Sequence, residues 1–187
     1  MDELLFNPDG PALSVLAATP SEVANLTMAW TATQPQWDIL RVRGNKSRDQ
    51  ASFFDELAAA LQFPYYFCEN RNALWDCITE LSWLRGASFL IVFDLAQHLL
   101  SESDEDFRFL VRTLADARGS WRAVTTDFGE GDQRPIAFHS VFACEPDAID
   151  ALTQRMTAAG AVFVRLVPEP GIAQSPSEVW PPRSQGE

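Results

Sequence analysis

Phe63-Pro64-Tyr65-Tyr66-Phe67-Cys68-Glu69-Asn70-Arg71-Asn72-Ala73-Leu74-Trp75-Asp76-Cys77-Ile78-Thr79 holds both a loop and a helix start, and the rest of the chain arranges itself around it. Four aromatic rings flank Pro64. A loop so apolar is costly to leave in water, so some rings belong to the core and one or two are free to face outward. From about Asn70 to Leu84 the spacing predicts a helix. At 100° per residue Leu74, Cys77, Ile78 and Leu81 form a complete core stripe. Asn72, Asp76 and Glu80 fall on the opposite face, and Glu69 joins them if the helix starts early. Two readings fit this pattern. One is a solvated helix face above a buried loop. The other is a recognition surface with aromatic anchors and negative charge. Arg71 lies beside that face, where it would partly neutralise it.

Working outward, strand and helix signals alternate. Trp37 to Val42 reads as a strand. Ser47 with Gln50 three residues on forms a capping box. The helix that follows carries Phe53, Phe54, Leu57 and Leu61 on one stripe, and Phe63-Pro64 stops it. Ser88 to Phe93 is an apolar run suited to a strand buried on both faces. Ser101 or Ser103 caps the next helix, whose first turn holds Asp104, Glu105 and Asp106 at the positive end of the dipole. Its stripe is Phe107, Leu110, Val111, Leu114 and Ala117, with Gly119 at its end. Trp121 to Thr126 reads as another strand. A last unit has strand Ile136 to Ala143, a helix after Pro146, a stop at Gly160 and strand Val162 to Leu166. Asp127, Glu130 and Asp132, flanking Gly129 and Gly131, read as a turn. Strands alternating with helices predict an α/β sheet with parallel pairing.

The 187 residues suit one domain with extensions, and 47% apolar content is enough for a real core. The 26 acids against 14 bases give −12. A surface that acidic repels phosphate, which argues against nucleic acid and anionic membranes and for a basic partner. The acidic start Met1-Asp2-Glu3 is unlike a secretory signal, and no apolar run is long enough to span a bilayer. Three widely spaced cysteines read as reduced thiols in a cytoplasmic protein. Charge and proline divide the chain into an acidic extension (1–36), a region of apolar periodicity (37–167) and a proline-rich tail (168–187) in which Trp180 is a candidate anchor.

Catalytic and cofactor motifs are absent. Gly44-Asn45-Lys46-Ser47 lacks the spacing of a phosphate loop, and reads as a turn and cap. His98 and His139 sit at no metal-ligand spacing. Cys77 is on an apolar helix face, and Cys68 stands beside Glu69, which discourages a thiolate. The expectation is a non-enzyme with no catalytic residue, no metal and no cofactor.

The string from Phe63 to Thr79 resembles the barstar family, intracellular inhibitors of barnase-type ribonucleases. Its carrying pattern is a Tyr pair, then Glu69-Asn70, then Ala73-Leu74-Trp75-Asp76-Cys77 followed by an aliphatic residue and Thr79. The flanking order of strand, helix, loop and helix, buried strand and helix agrees over residues 37–127. Residues 128–167 then form a strand-helix-strand elaboration of the same domain. The resemblance implies an α/β, barstar-like parallel sheet flanked by helices, extended by that unit. It also implies that the loop and second helix plug a nuclease active site. The family's contact Tyr corresponds to Tyr66 and its later Asp to Asp76. Its earlier Asp is Asn72 here, and its Gly before Glu-Asn is Cys68. The further Glu of the family falls at Thr113 or Leu114.

The function this implies is immunity-type inhibition of a basic ribonuclease or ribonuclease toxin, with Tyr66, Phe67, Glu69, Asn72, Trp75, Asp76 and Glu80 as the partner-binding set. Carboxylates placed where phosphates would sit suit a cationic cleft. The alternative is a barstar-like interaction module that binds a non-ribonuclease toxin or another basic protein.

Overall fold

A computed structural model describes residues 1–127 and 133–167. In chain order the elements are α1 (Asp2–Leu5), β1 (Leu13–Ala17), α2 (Pro20–Thr33), β2 (Trp37–Arg43), α3 (Gln50–Leu61), α4 (Arg71–Glu80), β3 (Ser88–Asp94) and α5 (Asp104–Arg122). They continue with β4 (Thr125–Asp127), β5 (Gln133–Pro135), β6 (Phe138–Cys144), α6 (Ile149–Ala158) and β7 (Val164–Leu166). The main sheet has five parallel strands in the order β2-β3-β6-β1-β7. β4 and β5 form a separate antiparallel pair.

β3 is buried at all seven positions, as its unbroken apolar run requires. Alternation then sends its side chains to two different cores. Phe89, Ile91 and Phe93 join a cluster with Phe53 and Leu57 of α3, Leu74 and Ile78 of α4, Phe107 and Leu110 of α5, and Met156 of α6. Leu90 and Val92 face the other way, against Leu5, with Val23, Leu26 and Trp30 of α2. The protein is therefore a three-layer α/β structure, with helices on both faces of a parallel sheet. Among the described residues, the N-terminal ones, to which the sequence signals attach no element, supply the helices of the second layer and a strand inside the sheet.

Several local expectations change. The N-cap of α3 is Asp49, in a capping box with Ser52, and not Ser47 with Gln50. Ser47 is buried and donates its hydroxyl to Arg43 O. The expected strand from Trp121 to Thr126 is instead the end of α5 and a short strand outside the main sheet. Trp121 continues the stripe of Leu114 and Ala117 at helical spacing, and its burial carries the helix through Gly119. Gly119 lies on the open side with no heavy atom near the place of a Cβ, so it does not terminate anything. The strands at Trp37 and Ser88 and the helix after Pro146 form as expected, and the strand expected from Ile136 to Ala143 runs Phe138–Cys144. The turn around Gly129 and Gly131 and the tail from residue 168 lie outside the described residues.

Gly44 sets how closely β2 and β3 are followed by their turns. A Cβ there would lie 2.6 Å from Leu95 O and 2.8 Å from Asp94 O. Both obstacles are backbone and cannot swing away. Gly44→Ala is expected to cost about 1–3 kcal/mol of stability, read as a lower urea midpoint. An unchanged midpoint would show that this contact relaxes without cost.

Candidate functional site

The loop before α4 turns back on itself through Phe67 N–H to Pro64 O at 2.9 Å. That turn brings Phe63 and Phe67 edge to face, with centroids 4.9 Å apart. Phe67 also meets Phe54 of α3 at 5.8 Å, and both rings pack on the main core. Phe67 is thus half-buried and anchors the loop. The outward ring is Tyr65, which is 100% exposed, followed by Tyr66 at 51%. The two tyrosines pack edge to face.

Asn70 fixes where α4 begins. Its side-chain oxygen accepts from the N–H groups of Asn72 at 3.0 Å and Ala73 at 2.9 Å. Glu69 precedes this cap at φ 45°, in the left-handed region, and stands outside the helix. α4 stops at Glu80, short of the expected Leu84, because Leu81 is left-handed and buried. The chain then folds back so that Trp83 donates its indole N–H to Leu61 O at 2.8 Å. From α5, Trp121 donates to Ile78 O at 3.0 Å. These bonds lock the core side of α4, where Leu74, Cys77 and Ile78 are buried.

The other side is open. Asn72, Asp76 and Glu80 are all exposed, as is Glu69. Among the described residues the carboxylates of Glu69 and Asp76 have no hydrogen-bond or ion-pair partner. Glu80 is different. Ser82 donates to it at 3.3 Å, and it lies beside the Tyr66 phenol. Partial burial and then the Glu80 charge push that phenol above its ordinary range. Trp75 is 38% exposed and borders the same face.

Arg71 does not neutralise this surface. It pairs with Glu105 at 3.1 Å and Asp106 at 2.8 Å, and its guanidinium sits 4.8 Å from the centre of the Phe109 ring. Burial alone would raise the Asp106 carboxyl, but Arg71, with Ser103 and Gln50, holds it below its ordinary value. The cation nearest to Asp76 in sequence is therefore committed to α5. Cys77 is an inert thiol, its pKa raised by burial and then by Glu80 and Asp76. No cluster of potential metal ligands occurs among the described residues, and no described helix is long and apolar enough to cross a membrane. The arrangement is an exposed acidic and aromatic face.

The family model described as barstar, the barnase inhibitor, matches residues 37–142. The chain belongs to the barstar family. The match begins with β2, contains the loop and α4, and runs on past residue 127 into β6. The family is one of inhibitors, and its module is a protein-binding one. No curated protein matches the chain. Among solved structures, the Aeropyrum pernix ORC2 protein in its ADP form is similar at 12% identity and TM-score 0.52, covering 88% of this chain and 44% of that one. A chain of the Drosophila ORC structure bound to AT-rich DNA and Cdc6 is similar at 10% identity and TM-score 0.46, covering 83% of this chain and 50% of that one. The barstar-family chain spans about half the length of these structures, and at such identity the likeness concerns the fold alone.

Position on α4 separates holding residues from presenting ones. Asn70→Ala is expected to lower stability by about 1 kcal/mol and to speed amide exchange in the first turn of α4. Asp76→Asn and Glu69→Gln should leave the urea midpoint where it is, since neither carboxylate has an internal partner to lose. A large drop for either would mean that its charge serves the fold.

Proposed function

We propose that this barstar-family protein is a cytoplasmic, immunity-type inhibitor of a basic ribonuclease, and that it occludes the active site with α4 and the loop before it. The observation that carries the proposal is the pair of partner-free carboxylates, Glu69 and Asp76, exposed within the family-matched segment. An enzyme that cleaves RNA must hold phosphate with cationic side chains. Asp76 on α4 and Glu69 just before its cap present the same charge on a backbone held by the core. Their attraction speeds encounter and selects basic partners. Asp76 lies mid-helix between Asn72 and Glu80, so it would sit deepest in a cleft, and its loss would leave partner cations buried and unpaired.

The aromatic part supplies area. Tyr65, Tyr66 and Trp75 are the exposed rings of this face, and such side chains are the usual anchors of an interface core. Phe67 acts from beneath by holding the loop. Glu80 acts with Tyr66, its carboxylate keeping the phenol oriented. Asn72 offers hydrogen bonds without charge.

The test uses the ribonuclease that co-purifies with the protein from its source. Wild type is expected to suppress RNA cleavage, and Asp76→Ala to weaken inhibition by about 30-fold or more, the size of an interface hot spot. Inhibition should also weaken as salt rises from 50 to 500 mM, since screening weakens the attraction between exposed charges. Equal inhibition by both proteins would remove Asp76 from this role. A bound protein without nuclease activity would favour the broader reading, a module for some other basic protein.

A further inference from the structure

β7 lies beyond the family-matched residues and, among the described residues, pairs with β1 alone. The apolar run that reads as a strand covers Val162 to Leu166, yet only Val164–Leu166 pairs with β1. Val162 is 91% exposed, and Val164 and Val167 are exposed as well. A free edge with such side chains is a template for another strand. β2, at the opposite edge, carries Asp38, Arg41 and Arg43, and charges of this kind are the ordinary protection of an open edge. β7 carries only Arg165.

The main-chain groups can be followed across the ladders. Ala12 O accepts from Ser140 N, and Ala18 N donates to Cys144 O, so the even residues of β1 bond to β6. Alternation turns Leu13, Val15 and Ala17 toward β7. Because Val15 stands opposite Arg165, it bonds to the residues on either side, Val164 and Leu166. The N–H and C=O groups of Phe163 and Arg165 are left facing outward.

Charge decides what can come to that edge. Residues 151–168 are the longest stretch of the chain without an acid, and they hold the bases Arg155 and Arg165. Two copies at −12 each repel overall, and here they approach at least cost. The proline-rich segment that follows is a poor source of an added strand, since Pro168 and Pro170 have no N–H to donate.

We propose that β7 is a self-association edge, at which two copies pair antiparallel about a two-fold axis through Val164. In this register Phe163 stands opposite Arg165 of the second copy, and Arg165 opposite its Phe163. These are the residues with outward main-chain groups, so each pair exchanges both of its hydrogen bonds. The side chains match too. On the α2 side Val164 meets Val164, and Val162 meets Leu166. On the α5 side Arg165, whose tie to Asp150 is long at 3.7 Å, lies beside the Phe163 ring of the second copy. Val167 arrives opposite Ala161, at the rim of an open groove of about 370 Å³ lined in part by Val111, Ala115 and Phe163. The contact uses one patch on both copies, so it closes at two. α4 takes no part, and each copy keeps its acidic face.

Sedimentation of the full chain tests this. Between about 1 and 500 µM the mass should rise from one chain to two, since an interface this small is weak. Rising salt should strengthen association by screening the repulsion between acidic copies, opposite to its expected effect on nuclease binding. Val162→Asp alters an exposed side chain, so it should keep the fold and weaken association by about 10-fold. In a Cys68→Ser background, Val164→Cys should cross-link on mild oxidation, because Cα atoms of such a non-hydrogen-bonded pair lie about 4.5 Å apart. Val162→Cys, four residues out of register with itself, should not. A mass of one chain throughout, as when the chain's own C-terminal segment covers the edge, would overturn the proposal. So would association that weakens with salt, association unchanged in Val162→Asp, or equal cross-linking at both positions. Ribonuclease inhibition enters none of these measurements.

Discussion

The indole N–H of Trp121 crosses from the end of α5 to the carbonyl of Ile78 near the end of α4. Trp83 makes the matching bond from the following loop to Leu61 O. A helix of ten residues has little stability of its own. Its place is fixed by the burial of Leu74, Cys77 and Ile78 and by these two bonds to otherwise unpaired carbonyls. Each buried aliphatic in that stripe is worth about 2–5 kcal/mol on truncation. The open face inherits the same backbone rigidity, because the Cα positions of Asn72, Asp76 and Glu80 are fixed relative to one another by the helix.

Charge on that face is as much a matter of subtraction as of placement. Arg71 is next in sequence to Asn72, and an unconstrained guanidinium there would screen Asp76. Its pairing with Asp106, backed by Gln50 and Ser103, draws it to the α5 side. The acids at the start of α5 thus have a second effect beyond favouring the helix dipole: they leave the carboxylates of Glu69 and Asp76 uncompensated.

How much of this could be read from the residues varies with the kind of signal. The β3 run, the stripes of α3 to α6 and the barstar-family string were legible because periodicity and burial agree there. At Trp121 the apolar stripe continues past Gly119, whose cost is small on an exposed helix surface, so the helix outruns the glycine's stop signal. Ser47 and Gln50 matched a capping pattern, but Asp49 and Ser52 matched one as well, and only tertiary packing chose between them. In the loop, the turn at Pro64 pairs Phe63 with Phe67 and so turns Tyr65 outward. Four aromatics around one proline do not by themselves say which ring faces outward; the turn does. The strand β1 was hidden because Leu13–Ala17 is short, and its partners lie at the far end of the chain.

That last pairing has a consequence for how the molecule is made. Leu13 lies opposite Ser140, and Ser14 opposite Val164. As the chain leaves the ribosome, β2 and β3 can meet early, while β1 waits with both of its ladders empty until β6 and β7, far later in the sequence, have been synthesised. Closing contacts this distant in sequence is slow, and an unpaired strand is a site for wrong partners meanwhile. β1 carries Leu13, Val15 and Leu16, so these apolar side chains stay unshielded from their own synthesis until β6 and β7 arrive.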